Sequence, residues 1–174
     1  MNPLSPAQLL GYVALVLGVS AFLQRDDRRL KLLVAVECFV YVAHFHLLGR
    51  PPAASSAGVS GVRNLLSVWF RSWWLAAASI AANVAIAVAL STRGTGWIPV
   101  VGSCLGAIAV FTLQGIPMRL LLLSSTALWL LNNVISRSYG GVVLETLIAT
   151  ASVTTIIRMI AAKQAVAAAG EARA

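Results

Sequence analysis

The stretch Ala53-Ala-Ser-Ser-Ala-Gly-Val-Ser-Gly-Val-Arg63-Asn64-Leu-Leu-Ser-Val-Trp-Phe70 decides how many times this chain crosses a membrane. It is apolar enough to span, yet it is rich in Ala, Ser and Gly and carries an arginine and an asparagine inside it. Around it lie six plainer apolar runs, at 7–23, 30–48, 73–90, 97–113, 118–136 and 139–160. Each is about long enough, at ~1.5 Å per residue, to cross a ~30 Å hydrocarbon core as a helix. The breaks between them are Gly49-Arg50-Pro51-Pro52, Arg93-Gly94-Thr95-Gly96, Gly115-Ile116-Pro117 and Gly140-Gly141. Gly and Pro at such points punctuate helices. The runs show no alternation of apolar and polar residues, so a membrane β-barrel is excluded and helices are expected throughout.

Charge settles whether 53–70 spans. The turn Gln24-Arg25-Asp26-Asp27-Arg28-Arg29-Leu30-Lys31 is the densest run of charge and belongs on the cytoplasmic side by the positive-inside rule. With seven spans, that side also receives Arg63, Arg71, Arg119, Arg158, Lys163 and Arg173, leaving only Arg50, Arg93 and Arg137 outside. If 53–70 did not span, every later residue would flip and the bias would vanish. The expected topology is therefore seven transmembrane helices, N-terminus out and C-terminus in. The small residues Ala53, Ala54, Ser56, Ala57, Ser60 and Gly61 then read as close helix-packing positions, because lipid supplies no hydrophobic drive between helices.

Composition agrees. A chain of 174 residues that is 59% hydrophobic and 10% charged lacks the polar surface to cover a soluble globule, and its mean hydropathy is +0.87. The net charge of +8 sits in short loops, where orientation and anionic headgroups account for it, so nucleic acid is not an expected partner. Cys38 and Cys104 fall inside apolar runs and read as small hydrophobes. No metal and no cofactor are expected. The start Met-Asn-Pro-Leu-Ser-Pro lacks a basic n-region, so the first segment reads as retained.

Seven spans invite a repeat. An offset of about ninety residues pairs Gly11 with Gly102, Gln24 with Gln114 and Gly49 with Gly140. A three-helix unit copied in tandem inserts upside down unless one extra helix separates the copies. The expectation is an all-α polytopic bundle arranged three plus one plus three. Residues 1–70 form the first unit, 71–96 the linker span, 97–160 the second unit and 161–174 a cytoplasmic, partly disordered tail. A pocket is expected near the midplane between the halves.

Phe22-Leu-Gln-Arg-Asp-Asp-Arg-Arg29, His44-Phe-His-Leu-Leu-Gly49, Pro99-Val-Val-Gly102, Gly115-Ile-Pro-Met-Arg119, and Trp129 through Asn133 to Gly140-Gly141 and Glu145 resemble the YgjV-type bacterial inner-membrane proteins. That family has been grouped with the SWEET, SemiSWEET and PQ-loop transporters and with PnuC-type transporters. The resemblance implies the three-helix-unit fold and a place in the bacterial inner membrane. It also implies a pocket lined by a Trp and an Asn from each unit. This chain offers Asn64 and Trp129, with Cys38 and Thr155 at the partner positions, and its first segment lacks the Pro-Gln pair of such units.

Intramembrane polar residues supply the candidate site, since an ionisable side chain at a helix centre costs about 2.5 to 3.5 kcal/mol on insertion scales. Glu37, Tyr41 and His44 share one face of the second segment at i, i+4 and i+7. Ser125, Trp129 and Asn132 repeat that spacing on the sixth, with Asn133 adjacent, and Glu145 lies inside the seventh. Asn64, Trp129, Asn132, Asn133 and Tyr41 are the candidate solute ligands. Glu37, His44 and Glu145 are the candidate coupling or gating groups. Arg63 is read as snorkelling to the cytoplasmic interface, with contact to an anionic substrate as the alternative, and Asn83 as a bundle contact. Trp69, Trp73, Trp74 and Trp97 fall at segment ends, where interfacial belts form.

The expected function is transport or facilitated passage of a small polar solute, such as a sugar, nucleoside or other metabolite. The bilayer is the principal partner and a second copy of the chain the candidate protein partner. The competing expectation is a non-transporting scaffold or accessory subunit, in which the same groups only bond helices together. No catalytic motif is present, and an enzyme is not expected; an intramembrane hydrolase would need Glu37, His44 and Glu145 to converge.

Overall fold

The computed structural model describes residues 2–22, 27–70 and 72–171. These form seven α-helices and no strand: α1 (Pro6–Phe22), α2 (Asp27–Leu47), α3 (Pro51–Leu66), α4 (Trp73–Ala89), α5 (Trp97–Thr112), α6 (Gly115–Ile135) and α7 (Tyr139–Glu171). A short 3₁₀ turn, Gly94–Gly96, leads into α5. The seven apolar segments and the seven helices coincide. Of the expected charged turn at 24–31, residues 24–26 lie outside the described residues, and 27–31 form the first residues of α2 rather than a turn.

Three helical stretches are long and apolar enough to cross a membrane, Gly94–Thr112, Gly115–Ile135 and Tyr139–Ala165, while α1 and α4 are shorter apolar helices. The doubtful third segment is a 16-residue helix, roughly 24 Å long at 1.5 Å per residue. Pro51 and Pro52 start it, where their missing N–H groups cost nothing. The tail departs from the expected partial disorder: α7 runs on as a 33-residue helix. The alanines beyond residue 160 hold it, since Ala has the highest helix propensity and needs no packing to stay helical.

Packing inverts the soluble pattern. On α1 the buried face is Ala7, Gly11, Ala14, Gly18 and Ala21, while Leu9, Val13 and Val16 on the other face are exposed. Small residues lie at the helix contacts and large aliphatic ones look outward, as lipid solvent requires. α1 packs on α2 and α7; α3 packs on α2, α4 and α5; α6 packs between α5 and α7. Asn83 of α4 joins two neighbours, accepting from Ser56 Oγ at 3.0 Å and donating to the Val100 carbonyl at 3.1 Å. It is the bundle contact expected from its central place in an apolar segment.

α2, α4 and α6 end alike. The residue after each cap is left-handed, Gly49 (φ 68°), Ser91 (φ 50°) and Arg137 (φ 55°). The next amide reaches back five residues, from Arg50 to Phe45, Thr92 to Ala87 and Ser138 to Asn133, at 2.9, 3.0 and 2.9 Å. These are Schellman turns. A non-glycine residue in that conformation costs roughly 1–2 kcal/mol, partly offset by the chain entropy that glycine would lose on folding. Ser91→Gly, at an exposed position, is therefore expected to stabilise the protein by up to about 1 kcal/mol. Thermal unfolding in detergent checks this as a small rise in midpoint.

Candidate functional site

Four helices enclose a cavity of about 170 Å³. α2 contributes Glu37, Cys38 and Tyr41; α3 contributes Ser60, Arg63 and Asn64; α6 contributes Ser125, Trp129 and Asn133; α7 contributes Glu145. On α2 and α6 the lining residues recur every four positions, which places them on one helical face. The volume is room for several waters or one small metabolite, short of the ~300–1,000 Å³ typical of pockets for drug-sized ligands.

Glycines on the outer helices make the space. A Cβ at Gly106 would lie 2.9 Å from Arg63 Nη1, and one at Gly102 would lie 3.3 Å from the Trp129 ring. α5 therefore accepts both large side chains against its backbone. A Cβ at Gly18 of α1 would lie 3.3 Å from the Glu37 carboxyl carbon. Behind the cavity an aromatic wall holds the rings in place: Tyr41 stacks on Phe45 at 5.3 Å, and Phe45 meets Trp129 at 6.0 Å.

The polar groups divide into those with partners and those without. Arg63 Nη1 donates to the Ser103 carbonyl at 2.8 Å, Ser60 and Ser103 hydroxyls pair at 2.8 Å, and Ser125 Oγ donates to the Gly102 carbonyl at 2.7 Å. Asn64 Nδ2 reaches Cys38 Sγ at 3.7 Å. By contrast Tyr41 Oη, Arg63 Nε and Asn133 Oδ1 are buried with no hydrogen-bond partner. Buried polar groups are nearly always paired. Among the described residues Asn132 Nδ2, Thr92 Oγ1 and Ser136 Oγ, outside the cavity, are likewise buried without a partner.

His44 sits elsewhere. Its Nδ1 lies 2.6 Å from the Ala7 carbonyl, which can only accept, so Nδ1 carries the hydrogen. Nε2 then accepts from the Ser138 hydroxyl at 2.7 Å. Gln8 completes the same junction, donating to the Arg137 carbonyl at 2.6 Å and accepting from the Tyr139 amide at 3.1 Å. Both side chains are fully buried and tie the start of α1 to α2 and to the α6–α7 turn. With both ring nitrogens so engaged, His44 does not converge with Glu37 and Glu145.

Residues 5–163 match the model of the Imp-YgjV family, described as a bacterial inner membrane protein. The chain belongs to this family. It is also 34% identical over 139 residues to the inner membrane protein YgjV of Escherichia coli (strain K12), an overlap of 80% of this chain and 76% of that one. No solved structure matches it. As an Imp-YgjV protein it resides in the bacterial inner membrane. Lipid is then the solvent for its exposed Leu and Val faces.

Within this YgjV-family bundle, Asn64, Trp129, Asn133, Tyr41, Glu37 and Glu145 meet at one cavity, while Asn132 and His44 do not. Asn132 lines a separate recess with Gly49 to Pro52, Arg93 and Pro99. One residue is 100° of helix, and the cavity follows Ser125, Trp129 and Asn133 rather than Ser125, Trp129 and Asn132. Arg63 is the main correction. It does not snorkel; it is 8% exposed and held on α5. Gln8 and Ser138 went unnoticed; a lone glutamine in an apolar helix was the available signal for the first.

Proposed function

We propose that this protein moves a small polar solute across the inner membrane by alternating access at the cavity between α2, α3, α6 and α7. The observation that carries the reading is the cavity itself, which gathers the ionisable side chains of Glu37, Arg63 and Glu145 with Asn64 and Asn133 from four helices. Ionisable side chains inside a membrane bundle are costly to place there and mark solute or ion paths.

The architecture in this reading is two three-helix units, α1–α3 and α5–α7, joined by α4, with the N-terminus outside and the C-terminus in the cytoplasm. The contacts support it. Exchanging the units turns the α1–α7 contact into the α5–α3 contact, and both exist. In each unit the first helix offers a glycine to a ring of the second, Gly11 to His44 and Gly102 to Trp129. The matching Schellman turns at Gly49 and Arg137 follow the same exchange. The two seams between units, at Gly11–Gly140 and at Ser60–Ser103, are where the halves would rock. Three of the four positions implied by the SWEET-type resemblance, Cys38, Asn64 and Trp129, line the cavity, while Thr155 bonds its own helix at the Ala151 carbonyl.

Glu37 and Glu145 outnumber the single guanidinium of Arg63, which gives a proton or monovalent cation a place beside the solute. The test begins with a thermal-shift panel of sugars, nucleosides, amino acids and vitamins, because a ligand of the folded state raises its midpoint by mass action. Uptake of the selected compound into proteoliposomes follows. Asn133→Ala is expected to cut uptake at least tenfold, whereas Asn132→Ala, on the other recess, leaves it within about twofold. The reverse order would move the pathway to the recess at Arg50 and Arg93.

A further inference from the structure

Resting on that transport reading, we infer that the solute is a small zwitterion bearing one ammonium and one carboxylate, of amino-acid size. The cavity is polarised. On its α3 side stands Arg63, whose Nη1 is fixed on the Ser103 carbonyl. On its α2 and α7 sides stand the acidic side chains Glu37 and Glu145, with Asn133 contributed by α6. Neither carboxyl forms a salt bridge with Arg63 among the described residues. The two signs of charge face one cavity without neutralising each other.

A neutral sugar would leave both poles without a counter-charge, and burying a charge that is neither paired nor fully hydrogen-bonded is costly. A simple anion or a simple cation would answer one pole only. A molecule carrying an ammonium at one end and a carboxylate at the other answers both, because the carboxylate accepts from the Arg63 guanidinium and the ammonium donates to the glutamates. Between the poles the indole of Trp129 supplies an apolar face for the carbon skeleton. The ~170 Å³ volume holds an amino acid and excludes a dinucleotide or an oligosaccharide.

The experiment compares thermal shifts of the purified full-length protein with four probe classes. These are free L-amino acids such as L-serine, their amides (ammonium without carboxylate), their N-acetyl derivatives (carboxylate without ammonium), and neutral sugars and nucleosides. Free amino acids are expected to raise the midpoint, and blocking either end to weaken binding about 10- to 100-fold, the range for a lost hydrogen bond to a charged group. Arg63→Gln is expected to erase the preference for the free acid over its amide, and Glu145→Gln the preference for the free acid over its N-acetyl derivative. A residue that only braces the bundle would lower stability without moving either ratio, and if one variant fails to fold the other tests the opposite pole. A sugar or nucleoside that binds while amino acids do not, or blocked derivatives that bind as well as free ones, would overturn the zwitterion and leave transport standing. A sharp unfolding transition that no probe shifts would overturn both.

Discussion

Gly140→Ala is expected to cost about 3 kcal/mol or more and to lower the thermal midpoint by about 6–12 °C, or to prevent a monodisperse protein from being isolated. A Cβ at Gly140 would overlap the Gly11 carbonyl of α1 and lie 3.0 Å from the Tyr12 amide nitrogen. Overpacking usually costs 1–3 kcal/mol because a flexible side chain can swing aside. Here the obstructing atoms are backbone, so α1 and α7 must separate. Separation would also pull apart the junction in which His44 reaches Ala7 and Gln8 reaches Arg137. The control is Gly58→Ala on α3, where the nearest atom to a new Cβ is Val42 Cγ2 at 3.5 Å, an ordinary contact. Alanine's higher helix propensity, worth up to about 1 kcal/mol, should leave that variant as stable as the parent or more so. Size-exclusion profiles and melting curves of the two variants side by side check the contrast; equal stability would mean that α1 and α7 do not meet at Gly140.

The same glycines show what the sequence disclosed and what it withheld. Gly49, Gly115 and Gly140 mark helix boundaries by local chemistry, and all seven helices were legible from such punctuation together with apolar run lengths. That Gly11 lies under Gly140, or Gly106 under Arg63, is a statement about helices distant in sequence, and no local pattern announces it. Arg63 shows the consequence. Its place near the end of α3 suggests a side chain long enough to reach the interface. The structure gives it the Ser103 carbonyl instead, because α5 offers a bare backbone there. The tail differs from the expected partial disorder for a local reason: an alanine-rich segment following a helix simply continues it.

The lining of the cavity was legible to within one helical step. Glu37, Tyr41 and Glu145 were placed by the cost of putting such groups in an apolar helix, and that argument needs no tertiary information. The choice between Asn132 and Asn133 does need it. Adjacent residues differ by 100° about the axis, and only the packing of α6 against α5 and α7 says which looks inward. The place of His44 needs it too, since its partners Ala7 and Ser138 are 37 and 94 residues distant. A buried histidine with two satisfied nitrogens braces the bundle.

Glu37→Gln carries the largest expected functional effect: uptake falls to background while the thermal midpoint rises. Glu37 sits at the centre of α2, 7% exposed, among the residues that line the cavity and with no hydrogen bond to another described residue. An acidic side chain at the centre of a membrane helix costs about 2.5 to 3.5 kcal/mol on insertion scales, so a carboxyl kept there without a protein partner subtracts from stability. Glutamine preserves the shape, fits beside Gly18 as well as glutamate does, and removes the capacity to bear charge. Sites that bind at the expense of stability behave this way when their charge is deleted. Uptake and melting must be measured on the same preparation, because the two readings separate only when their signs are compared. Loss of uptake with a higher midpoint places Glu37 in the transport cycle. A lower midpoint with normal uptake would make it a helix-binding group, and the cavity would lose one of its two acidic walls as a functional element.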